Sequence, residues 1–162
     1  MDIRLRNMTS LYLVNDTRIL CLYRIGSRVA NKKYVGSAGG HFEPEELNDP
    51  KRCVLREAGE ELGLQESDLE DLRLRYVTHR LMGGEIRQNY YFFARLKEEK
   101  ELASTEGNLR WVSFEEVSRL DMPVSAKHML EHYIREGRHT GCLYGGITQR
   151  AGTNFVIMED FQ

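Results

Sequence analysis

Cysteine, proline, long apolar runs and charge of one sign are all scarce in this sequence, and most of these scarcities remove a class of protein. The three cysteines, Cys21, Cys53 and Cys142, are an odd number, widely spaced and without a CxxC pair. That pattern argues against both a disulfide framework and a zinc site, and reduced thiols in a cytoplasmic protein are the expectation. No stretch approaches the ~20 apolar residues that a membrane span needs. The opening MDIRLRNMTSLYLV lacks the long apolar run of a signal peptide. The 23 basic and 25 acidic residues leave a formal net charge of -2, so no global positive field is available to hold a nucleic-acid polymer. A small, highly charged substrate handled by local chemistry remains open.

The chain shows no internal repeat, low-complexity tract or linker. Its 162 residues, 41% of them hydrophobic, suffice for one core. A single domain over 1–162 is expected, with a core at about 5–136 and a helix end and hairpin over 137–162. Leu11 to Val14 and Ile19 to Tyr23, separated by Asn15, Asp16 and Thr17, predict a β-hairpin. Lys33 to Gly40 predicts a short strand that ends in a Gly39-Gly40 turn. Asp49 is placed to cap a helix, Pro50 suits its first position and Gly63 its left-handed stop, which predicts a helix over 50–62. Leu72 to Leu81 and Gln88 to Leu96, broken at Gly83-Gly84, predict a long central hairpin. Leu109 to Ser113 predicts a strand around Trp111. Ala126, Met129, Leu130, Tyr133 and Ile134 mark the buried face of a second helix. Cys142 to Thr148 and Asn154 to Met158 predict a terminal hairpin. Three uses are open to it: covering a cleft, pairing across a homodimer, or extending a sheet edge.

The chemistry is concentrated in GGHFEPEELNDPKRCVLREAGEELGL. Each helical residue turns by about 100°, so Glu57, Glu60 and Glu61 share one face, and Val54, Leu55, Ala58 and Leu62 share roughly the opposite one. Three carboxylates held this close repel one another, and a divalent cation removes the penalty. An all-oxygen donor set favours a hard ion, Mg²⁺ first and Mn²⁺ as a substitute. Arg56, four residues before Glu60, is placed to orient a carboxylate. Taken alone, a Glu-rich helix face is more often merely solvated; the residues around this one reverse that judgement.

Residues 56–64, REAGEELGL, resemble the second half of the Nudix box in full, and Gly40 and Glu46 enclose five residues as in its first half. The family leaves seven residues between that glutamate and the arginine, whereas Glu46 and Arg56 enclose nine, and Glu45 replaces a common glycine. The extra pair falls in Leu47 to Pro50, ahead of the helix. The resemblance implies an α/β/α sandwich around a mixed β-sheet and hydrolysis of a nucleoside diphosphate linked to another moiety. It implies metal ligation by Glu57, Glu60 and Glu61 with a backbone carbonyl at Gly39 or Gly40. Arg56 and Glu46 would be orienting residues and Gly63 the structural stop. Glu106, in the loop before the Trp111 strand, is the further candidate for a ligand or base, after Glu57. A nucleoside triphosphate, oxidised or not, is the first substrate class. ADP-ribose or a nucleotide sugar is the alternative, and a nucleotide-sensing module without turnover belongs to another class. The proline or tyrosine that marks other Nudix branches after the box is replaced by His79, Arg80, Leu81 and Met82.

Other residues carry weaker signals. Arg24, Arg28, Lys32, Lys33, Arg80 and Arg87 are candidates for a positive rim around phosphate. His41 and His79 are expected to be surface or hairpin histidines. Cys53 lacks a neighbour that would activate its thiol.

Overall fold

The computed structural model describes residues 2–27 and 30–159. Nine strands form one mixed sheet: β1 (Arg4–Val14), β2 (Arg18–Arg24), β3 (Tyr34–Val35), β4 (Ala38–His41), β5 (Leu69–Met82), β6 (Glu85–Leu96), β7 (Gly107–Ser113), β8 (Tyr144–Gln149) and β9 (Gly152–Ile157). The main path runs β3-β2-β1-β6-β5-β8-β9, with β4 on β1 and β7 on β2. Helices α1 (Pro50–Leu62) and α2 (Val124–Arg135) cover its two faces.

The helix termini follow from the residues that end them. The Asp49 side chain accepts from the Arg52 N–H, Pro50 needs no donor partner, and Gly63 takes the left-handed conformation at φ 67°. The buried side of α1 is Cys53, Val54, Ala58 and Leu62. It packs with Leu11, Leu13, Phe92 and Ala94 of the sheet. On the other face Ala126, Met129, Leu130 and Tyr133 of α2 meet Tyr12, Tyr76 and Phe93, with the Phe93 and Tyr133 rings stacked at 4.0 Å.

The strand β1 is the pivot. Its C-terminal end pairs with β2, Leu13 opposite Leu20. Its earlier part pairs with β4, Thr9 opposite Gly40 and Ser10 opposite Gly39. The expected Gly39-Gly40 turn is therefore corrected: both glycines lie in a strand. At Gly39 the backbone has φ 154°, and a Cβ would stand 2.9 Å from Ser10 Cα, so the close approach to β1 explains the glycine better than a turn does. The central hairpin is also longer than its apolar pattern, because polar ends such as Glu70 and Arg87 remain in the ladder.

The terminal hairpin extends the sheet, with β8 parallel to β5. Its connection to α2 is fixed by Arg75, 8% exposed, which donates Nε to the Cys142 carbonyl at 3.1 Å and one terminal nitrogen to Gly137 and Thr140 carbonyls at 2.6 and 2.8 Å. Arg75→Met removes the Arg75 donor from the Cys142 and Thr140 carbonyls and one of the three donors to the Gly137 carbonyl, and the expected cost is about 2–3 kcal/mol. Faster amide hydrogen exchange in 144–157 than in α1 would locate that loss in the hairpin.

Candidate active site

The α1 helix delivers its glutamates to the glycine-containing strand β4. An added Cβ on Gly40 would meet the Glu57 carboxyl group before anything else, with Oε2 at 2.7 Å. Glu61 accepts a hydrogen bond from the Gly39 N–H at 3.3 Å. These two carboxylates, one turn apart, converge on one glycine step. Glu60 is different: its side chain is 61% exposed and receives Arg56 at 3.2 Å on the outer side of the helix. Helical rotation placed all three on a common face, but tertiary packing draws in only two.

Arg56 organises the cluster. Its guanidinium donates to Glu46 at 2.8 and 3.0 Å, to Glu57 at 2.8 Å and to the His41 carbonyl at 3.1 Å. Glu46 is 1% exposed. It closes a 3-10 turn over Pro44–Glu46 by accepting from the Glu43 N–H. The Arg56 hydrogen bonds hold the Glu46 carboxyl down at about 2 against the opposing effect of burial. Between this turn and α1, Leu47 lies 55% exposed, and Glu46 rather than Glu45 meets Arg56. Cys53 lies beneath, 0% exposed and bonded to Thr9, and burial pushes its thiol up to about 11. It is an inert part of the support.

Burial raises the Glu57 carboxyl and pushes Glu61 up to about 7, with the Glu57 charge the next contribution for Glu61. Crowded carboxylates that are reluctant to ionise together suit a divalent cation. Their oxygens are a hard donor set of the kind Mg²⁺ prefers. Among the described residues no three His, Cys, Asp or Glu side chains already converge on one metal position, and the outward Glu60 accounts for the missing third donor.

Across the cleft, Glu106 Oε2 lies 3.4 Å from Arg24, and both groups act electrostatically on Glu61. The loop glutamate singled out from sequence thus reaches the same neighbourhood. Between lies a cavity of about 550 Å³ whose floor includes Ser10, Tyr12, Asn89 and Tyr91. Arg24, Lys33, Arg80 and Arg87 of the expected rim line it; Lys32 does not, and Arg28 falls outside the described residues. His41 stands at the mouth and accepts from Arg6 at 2.7 Å. Burial, then Arg6 and Arg24, lower its pKa. His79 bonds Gln88 at 2.7 Å and does not line this cavity. Asn89 and Ser10 were missed in the sequence: strand alternation puts Asn89 on the face of Tyr91, and Ser10 joins that face only through the parallel register of β1 with β6.

Gly40 gives a direct test of this geometry. Gly40→Ala is expected to displace the Glu57 carboxylate and lower turnover at least tenfold while the circular dichroism spectrum is retained. Undiminished turnover would show that Glu57 does not work from this position.

A family model described as the NUDIX domain matches residues 4–133. No curated protein matches the sequence. Among solved structures, a MutT protein from Bacillus halodurans has a TM-score of 0.63 at 21% identity, covering 95% of this chain and 98% of that one. A MutT protein from Methanosarcina mazei Go1 has a TM-score of 0.68 at 21% identity over 84% and 97%. An Ap4A hydrolase from C. elegans, solved as a binary complex, has a TM-score of 0.65 at 14% identity over 85% and 100%. These likenesses concern the fold, an open mixed sheet between helices. With the family model spanning most of the chain, the protein belongs to the Nudix hydrolases, enzymes that act on pyrophosphate bonds.

Proposed function

We propose that this chain is a Mg²⁺-dependent pyrophosphohydrolase that cleaves a nucleoside diphosphate linked to another moiety, with a nucleoside triphosphate, oxidised or not, as the first substrate class. The observation that carries the reading is the convergence of Glu57 and Glu61 on the Gly39-Gly40 strand beside a deep, basic-rimmed cavity. Glu57, Glu61 and the Gly40 carbonyl would hold the cation, and Glu60, which shares Arg56 with Glu57, would be the further ligand. When bound, the cation neutralises the diphosphate and acidifies a coordinated water.

The chain's own residues do the rest. Arg56, anchored on buried Glu46, fixes the Glu57 carboxylate by a charge-assisted hydrogen bond. Glu57 is the first candidate to accept the proton of the attacking water, and Glu106, steadied by Arg24, the second. Attack at phosphorus breaks a P–O bond. The apolar walls around Tyr12 and Leu22 take the nucleoside and exclude water, and Arg24 and Lys33 face its phosphates. An Ap4A hydrolase among the structural neighbours adds a dinucleoside polyphosphate to the substrates to be tried.

The test is phosphate and pyrophosphate release from nucleoside triphosphates, oxidised triphosphates, ADP-ribose, nucleotide sugars and Ap4A, with Mg²⁺ present or chelated. Turnover that requires Mg²⁺ and is greatest for a triphosphate is the expected result. Best turnover on ADP-ribose or a nucleotide sugar would reassign the substrate class. Binding without turnover of any diphosphate would replace the enzyme by a nucleotide sensor.

A further inference from the structure

Three arginines stand side by side on three adjacent strands. Arg6 of β1 is in register with Arg87 of β6, and Arg87 with Arg80 of β5. In-register residues of paired strands share a face, and like charges directly opposite one another are unfavourable. The neutralisation is thin. Arg6 and Arg87 both reach the same Glu85 oxygen, at 3.5 and 3.4 Å, and Arg6 also donates to His41. Arg80 makes no hydrogen bond or ion pair among the described residues, although it lines the cavity together with Arg87. Two of the three charges thus share the single Glu85 carboxylate, and two, Arg80 and Arg87, line the cavity.

The row has a defined place relative to the glutamates. Ser10 is paired with Gly39, next to Glu61, and Arg6 lies four residues back along β1, about 13 Å at strand spacing. Between them Met8 and Asn89, themselves in register, offer an apolar and an amide surface to the moiety on the other side of the diphosphate from the nucleoside. Guanidinium groups favour phosphate oxygens, which they grip in pairs.

We propose that Arg6, Arg87 and Arg80 form a second anion site that takes a phosphate monoester of the substrate, remote from the scissile diphosphate. This rests on the pyrophosphohydrolase reading for the substrate's other end, but not for the anion site itself. The substrate class is a nucleoside diphosphate derivative with an additional phosphate at its far end or on its ribose. Arg80, which makes no hydrogen bond or ion pair among the described residues, is the residue that discriminates for it.

The experiment has two arms. In the first, inorganic phosphate is titrated into the protein with EDTA present, against chloride at equal ionic strength, and thermal stability is followed for the wild type, Arg80→Gln and Arg80→Gln with Arg87→Gln. A saturable rise in Tm specific to phosphate, reduced in the single variant and abolished in the double, is expected. A rise identical in all three, or none in the wild type, would overturn the site. In the second arm, NAD and NADP, which differ by one ribose phosphate, compete against turnover of the best substrate of the panel. NADP is expected to inhibit about tenfold more strongly than NAD, and Arg80→Gln to remove the difference. Equal inhibition in the wild type would overturn the assignment to a substrate phosphate. Phosphate stabilisation without any diphosphate turnover would leave the anion site standing and remove the hydrolase reading instead.

Discussion

Glu57→Gln is expected to lower diphosphate turnover by about 10²–10⁴-fold at saturating Mg²⁺, the range for loss of a positioned acid-base group. The carboxylate is fixed on both sides, by Arg56 at 2.8 Å and by the Gly40 backbone. Glutamine keeps the size of the side chain but removes the charge and the basicity. The fold should survive, because Glu57 belongs to neither apolar cluster. Glu106→Gln is the informative comparison: a smaller loss assigns the base to Glu57, and a larger one moves it across the cleft. Full activity in Glu57→Gln would be incompatible with both of its roles.

The second large effect is on stability. Arg56→Met strands the Glu46 carboxylate, 1% exposed, without its charge partner, and breaking such a buried pair costs about 3–5 kcal/mol. Turnover should fall as well, since Glu57 loses its anchor. The pH dependence follows from the sign of the Glu46 shift. Its folded pKa is depressed to about 2 from the ordinary 4.5, chiefly by Arg56. The pair therefore contributes fully above about pH 4.5, by about 3 kcal/mol, and the contribution fades as pH falls toward 2. Denaturant unfolding of the wild type and Glu46→Gln should differ most above pH 4.5 and converge in acid. A difference that does not change with pH would mean that Glu46 acts by shape alone.

These contacts also show what the sequence discloses and what it does not. The ends of α1 are local events, written in Asp49, Pro50 and Gly63, and they fall where those residues predict. The motif marks Arg56 and Glu46 as orienting residues, but that they pair with each other across the nine residues between them emerges only in the fold. Gly39 and Gly40 mislead because glycine signals a turn and a close backbone approach equally well, and only the β1 partner decides between them. Glu60 and Glu61 are nearly equivalent on a helical projection; the bond from Gly39 to Glu61 separates them, and it spans 22 residues. The arginine row is invisible in one dimension for the same reason. Arg6, Arg80 and Arg87 become neighbours only when a parallel and an antiparallel register are both set.

The acidic face of α1 as a cation site is the claim on which the rest depends, and calorimetric titration of Mn²⁺ into the protein without nucleotide addresses it most directly. The wild type is predicted to bind the ion saturably, and Glu57→Gln with Glu61→Gln to lose that binding while remaining folded. Undiminished Mn²⁺ affinity in the folded double variant would contradict the account.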